Sequence, residues 1–215
     1  MRADGVREPT ITVARADGVR EPTITVRPVS DAGKILLALV ALMWAVEVVD
    51  VIADHQLDRY GIEAREADGL DGIVTAPFLH VGFAHLLSNT IPFVIMGLLI
   101  ALEGARRLLA VFAIVALVSG LGTWLVAPEG SIHVGASGVV FGFSTYLIAR
   151  GWFNRRPGQI AIGLVVVAVW GGVLLGGLQP REGISWQGHL FGAIGGLVAA
   201  RVLARGDAER TRAPA

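Results

Sequence analysis

Cysteine is absent from the 215-residue chain, which removes disulfides, thiol catalysis and thiolate metal sites from consideration together. Charge is scarce as well. Asp, Glu, Lys and Arg make up 17% of the residues, against about 25% in soluble domains. The 18 basic and 18 acidic residues cancel, so nothing points to a nucleic-acid partner. Lys34 is the one lysine, a bias associated with high-GC bacterial genomes. The first 31 residues lack the apolar core and small-residue cleavage site of a secretory signal.

Apolar residues fill the space that charge leaves, at 53% of the chain and a mean hydropathy of +0.63. They are bunched into runs that suit a hydrocarbon core about 30 Å thick, which takes about 20 residues of helix to cross. The clearest runs are 35–53, 108–126 and 160–178, and three shorter or more polar ones lie at 84–102, 137–149 and 188–204. The expected fold is all-α, a polytopic bundle of six transmembrane helices in the lipid bilayer. Basic residues favour the cytoplasmic side of a span. With the N-terminus inside, 15 of them fall on cytoplasmic segments and three, Arg59, Arg65 and Arg181, on external ones. This predicts a multi-pass plasma-membrane protein with both termini cytoplasmic.

RADGVREPTITV occurs at 2–13 and again at 15–26. Two copies are too few for a stacked solenoid, so residues 1–31 are expected to be a disordered tail carrying a tandem duplication. Residues 32–205 are the predicted membrane domain, and 206–215 a short cytoplasmic tail. The connection 54–82 is long for a helix hairpin, and its end, IVTAPFLHVGF, is apolar enough to lie at the membrane interface.

Polar groups inside spans are expensive and mark function. Ser137 lies 13 residues before Arg150, His189 16 before Arg205 and Asn89 14 before Glu103, so all three stand about 20–24 Å above the cytoplasmic helix ends. His85 is one turn above Asn89, on the same helix face. The span that starts at Ser137 is too short to cross alone, so it should begin at mid-membrane depth. The segment before it, APEGSIHVGA, is then non-helical backbone lining a water-filled cavity. Gly138 and Gly142, and the ladder Gly188, Gly192 and Gly196, allow their two helices to approach closely. A serine at a helix N-terminus beside an imidazole has what acyl transfer needs: a base for its proton, and backbone N–H groups for a developing oxyanion.

With HVGFAHLLSN, GASG and HLFGAIGG in this order on the second, fourth and sixth spans, residues 78–200 resemble the rhomboid intramembrane serine proteases. The resemblance implies Ser137 as nucleophile and His189 as general base and then acid. It implies an oxyanion hole of His85, Asn89 and the Ser137 N–H, with Gly135, Gly138, Gly192 and Gly196 in support. Phe141 would stack on His189 where many relatives have Tyr, and His80 would sit near the active-site mouth. Glu103, Arg106 and Arg107 match the charged turn after the second span. The substrates implied are transmembrane proteins cut near their external ends. The other class carried forward is a catalytically silent relative that binds transmembrane clients, against which the presence of both Ser137 and His189 argues. The chain departs from the family where DGIVTAPF replaces the Trp-Arg pair of the first external loop, and where Gly188 replaces a common Ala.

No cofactor or metal is expected, since the histidines do not form an HExxH pattern. The sequence carries no signal for an oligomeric state. His133 and His55 read as loop groups, and Glu47 and Asp50 as water-facing or interhelical polar contacts.

Overall fold

The computed structural model describes residues 30–212, with side chains through residue 204. The duplicated segment lies outside the described residues. Of the expected 206–215 tail only the backbone to Arg212 is described.

Helix α1 (Asp31–Ile52) opens at Ser30, whose Oγ accepts the Gly33 N–H at 3.2 Å. That bond satisfies one of the free donors of the first turn. A folded connection follows, containing strand β1 (Ile62–Glu63) and a single helical turn α2 (Gly72–Thr75). Next come α3 (Phe83–Ala101) and α4 (Ala105–Val126), then strand β2 (Ile132–His133). The chain ends with α5 (Ser137–Asn154), α6 (Pro157–Gly177) and α7 (Trp186–Arg212). The predicted spans therefore appear as helices shifted by a few residues, and the last continues past its predicted end. By length and composition α1, α3, α4 and α6 are each able to cross a membrane. Their large apolar side chains face outward, among them Leu37 on α1, Leu98 on α3 and Leu164, Val169 and Leu175 on α6. This is a membrane protein.

Helix α5 runs through the middle of the bundle. Phe143, Tyr146 and Leu147 are fully buried on it, and Phe143 stacks on Phe93 of α3 with centroids 5.3 Å apart. Its closest partner is α7. A Cβ added at Gly192 would collide with the Gly138 carbonyl, and one at Gly196 with the Gly142 carbonyl. The two glycine ladders thus face each other with their backbones in contact. Thr145 Oγ1 adds a hydrogen bond across the seam to the Ala193 carbonyl, at 2.8 Å.

At the far end of α5, Glu103 gathers four elements. Its Oε1 accepts from Arg150 Nη1 at 2.7 Å and from Gln159 Nε2 at 2.8 Å. Its Oε2 accepts from the Tyr146 hydroxyl at 3.0 Å and faces Arg107 Nε at 3.5 Å. One carboxylate at the end of α3 thereby ties down α4, α5 and α6.

At the Ser137 end the long connection is clipped to the segment before α5. β1 and β2 pair antiparallel, Ile62 opposite His133, and Trp124 Nε1 donates to the Glu66 carbonyl at 2.7 Å. The DGIVTAPF stretch, which replaces the Trp-Arg pair, forms α2 and a following 3₁₀ turn. Ile73 from this turn fills the space over Gly120 of α4, where a Cβ would lie 2.8 Å from it. Of the two readings of Glu47 and Asp50, burial at 0% and 1% exposure excludes the water-facing one and leaves the buried polar contact. Asp50 caps the connection by accepting the Leu57 N–H at 2.7 Å.

Because the α5–α7 seam has no room for a methyl group, Gly192→Ala and Gly196→Ala should each cost about 1–3 kcal/mol. Gly172, which has nothing within 4 Å, is the control, and Gly172→Ala should leave stability unchanged or raise it by up to about 1 kcal/mol. Unfolding in mixed micelles measures both.

Candidate active site

Ser137 is the first residue of α5, placed by a turn that ends at Ala136. Its hydroxyl lies 2.8 Å from His189 Nε2, across the α5–α7 seam. The other ring nitrogen, Nδ1, is 2.7 Å from the Gly177 carbonyl. A carbonyl only accepts, so Nδ1 carries a proton, and in the neutral ring Nε2 then presents its lone pair to the serine O–H. That is the tautomer a general base requires. Phe141, one turn along α5, lies flat on the imidazole with centroids 4.2 Å apart and planes 4° from parallel. Stacking fixes the ring plane, and the Gly177 bond fixes its rotation.

His85 and Asn89 of α3 line the same cavity as Ser137 and His189, a space of about 650 Å³ bordered also by His133 and Arg181. Asn89 is buried and its Nδ2 donor has no partner among the described residues. Gly135 brings the loop onto these two side chains. Its φ of +116° suits glycine, and a Cβ there would meet His85 Cε1 at 2.8 Å and Asn89 Nδ2 at 3.5 Å. The Gly135 N–H is held by the Ala76 carbonyl at 2.8 Å, so the DGIVTAPF segment positions the loop ahead of Ser137.

His80 sits behind this loop. Its Nε2 accepts the Ala136 N–H at 3.3 Å, and its ring meets that of His85 edge-on at 5.1 Å. Burial, with the nearby His85 adding to it, pushes the His80 imidazole down from 6.5 to about 4. Burial likewise lowers His133, which bonds Ser131 Oγ at 2.9 Å. The structure thus brings together Ser137, His189, Phe141, His85, Asn89 and Gly135, with His80 against the loop. Gly138, Gly192 and Gly196 lie in the seam beneath them.

Two contributors were not legible in the sequence. The Gly177 carbonyl orients His189 from α6, and Ser119 of α4 donates to the Gly188 carbonyl at 2.8 Å beside the histidine. Gly177 had one available signal, a glycine near the end of a span. Its Cβ would strike Phe141 Cζ at 2.5 Å. A second cavity, about 30 Å³ and lined by Ser119, Thr123, Ser137 and Ser185, lies on the α4 side of Ser137. It has room for a water molecule.

The family model described as the Rhomboid domain matches residues 68–206. An uncharacterized protein of Mycobacterium tuberculosis is 44% identical over 179 residues, covering 80% of this chain and 75% of its own length. One from Mycobacterium leprae is 43% identical over 189 residues, covering 84% of this chain and 74% of its own. The Bacillus subtilis protein named rhomboid protease GluP is 29% identical over 134 residues, covering 61% of this chain and 25% of its own.

The depressed His80 gives a prediction for pH. Between pH 6.5 and about 4 the unfolded chain binds a proton at this residue that the folded chain refuses. Stability should therefore fall as pH drops through that window, by about 3 kcal/mol in all. Unfolding free energies at pH 7 and pH 4.5 test this, and His80→Gln should flatten the difference.

Proposed function

Since the chain belongs to the rhomboid family, we propose that it is an intramembrane serine endopeptidase that cuts transmembrane proteins near the external membrane face. The observation that carries this reading is the hydrogen bond from Ser137 Oγ to His189 Nε2 at 2.8 Å, with Nδ1 pinned by the Gly177 carbonyl. A protein that only binds clients needs neither the alignment nor the tautomer. In the proposed topology α1 and α3 to α7 are six spans with both termini cytoplasmic. Residues 32–205 form the membrane domain, in the plasma membrane of a bacterium. The fourth span starts at Ser137, below the external surface, and the cavity above it admits water.

The reaction is acyl transfer. A substrate helix unwinds locally and places its scissile carbonyl over Ser137. The hydroxyl attacks as His189 Nε2 takes its proton, and the Nδ1–H···O bond to Gly177 supports the imidazolium that forms. The oxyanion is held by the Ser137 N–H, His85 and Asn89, whose Nδ2 is free to donate. His189 then protonates the leaving amine. A water, for which the small cavity beside Ser119 is a source, hydrolyses the acyl-enzyme with His189 again as base.

Reconstitution with a model transmembrane substrate tests the proposal. Ser137→Ala and His189→Ala should abolish cleavage, and His85→Ala and Asn89→Ala should each lower kcat by about 10²–10³. Fluorophosphonate should label Ser137 only when His189 is intact. Cleavage by Ser137→Ala at the wild-type rate would sink the assignment.

A further inference from the structure

A second cluster of chemistry-bearing side chains lies where α1 meets the long connection, and the proposed reaction makes no use of it. Asp50, His55 and Asp58 each offer one ligand atom, all within 4.8 Å of one another. Asp50 is 1% exposed, so this is not a surface patch of solvated acids. Its Oδ1 is held by the Leu57 N–H at 2.7 Å, which leaves Oδ2 turned to His55 Nδ1 at 3.2 Å. Asp58 Oδ1 is buried and has no hydrogen-bond partner among the described residues.

An independent observation comes from one turn below. Glu47 is 0% exposed, and neither of its carboxylate oxygens has a hydrogen-bond partner among the described residues. The charged groups acting on it are Asp50, Asp58 and His55, and the Gly82 amide approaches it without reaching hydrogen-bond geometry. Two carboxylates therefore lie within ligand reach of one imidazole, and a third feels the charge of all three groups. No Lys or Arg forms an ion pair with any of the three among the described residues. Arg59, the nearest in sequence, turns to the Tyr60 hydroxyl at 3.0 Å. A buried carboxylate left unpaired is costly, and a bound cation is one of the ways proteins offset it.

We propose that Asp50, His55 and Asp58 form a binding site for a divalent transition-metal ion of the zinc class, with the buried Glu47 carboxylate as a compensating charge beneath it. The donor set decides the class. Mixed imidazole and carboxylate ligation suits Zn²⁺, whereas Mg²⁺ and Ca²⁺ favour all-oxygen shells. In a tetrahedral site the ligand atoms are about 3.3 Å apart. The Asp50–His55 pair already has that spacing, at 3.2 Å, and Asp58 reaches it by a small inward movement of the connection. Three protein ligands leave the fourth position to water. The Leu57 amide orients Asp50 as an outer hydrogen bond does at such sites. Bound there, the ion ties the end of α1 to the connection, beside the Gly82 turn from which α3 carries His85 and Asn89 toward the cavity.

The test is calorimetric titration of the full-length protein in detergent with Zn²⁺, purified without a polyhistidine tag, together with thermal unfolding. One equivalent should bind and raise Tm, and an equal concentration of Mg²⁺ should not compete. His55→Ala and Asp58→Asn, both at loop positions that should still fold, should each weaken binding about tenfold or more. Glu47→Gln should weaken it severalfold, and His133→Ala should leave it unchanged. No saturable Zn²⁺ binding overturns the site. So does binding that persists undiminished in both His55→Ala and Asp58→Asn, because the ion would then be held elsewhere.

Discussion

The contact between Gly138 and Gly192, repeated one turn on by Gly142 and Gly196, sets the distance on which the site depends. Ser137 directly precedes the first of these glycines, and His189 lies three residues before its partner. Where the helix backbones touch, a serine hydroxyl and an imidazole reaching across the seam arrive at hydrogen-bond distance without strain. In lipid no hydrophobic force pulls helices together, so the close approach rests on dispersion packing that only residues without side chains permit. A single methyl group in the seam would push Ser137 and His189 apart.

That seam is held in register from both ends. Glu103 collects Arg150, Tyr146, Gln159 and Arg107 at the far end of α5. At the Ser137 end, the β1–β2 pair and the Gly135 to Ala76 hydrogen bond fix the loop that delivers the serine. The polar residues at the two ends have opposite characters. Those around Glu103 satisfy one another almost completely. Around Ser137 the Asn89 donor is left free to meet a ligand, which is the arrangement the proposed oxyanion hole requires.

Much of this was legible in the residues because lipid makes the code simple. A run of about 20 apolar residues has few alternatives to a spanning helix, and the six runs correspond to six long helices. The glycines at four-residue spacing named the helix faces that meet. Ser137, His189, His85 and Asn89 were singled out by cost and spacing and Phe141 by the family resemblance, and all five gather around one cavity. The connection 54–82 was harder to read. Its short turns are set by contacts with α4 and β2, such as Ile73 over Gly120, and no periodicity within the segment encodes them. Glu47 and Asp50 stayed open between water and a buried contact for a related reason: position along a helix does not say what covers its end, and burial decided it.

The sequence by itself determined the helices, the seam and the identity of the polar side chains that meet there, since each follows from local composition and spacing. Only the tertiary structure decided which nitrogen of His189 faces Ser137. That choice is made by the Gly177 carbonyl, and every residue of the chain carries a carbonyl, so no letter of the sequence distinguishes this one. Its role comes from where α6 ends, and that is settled by how the helices pack.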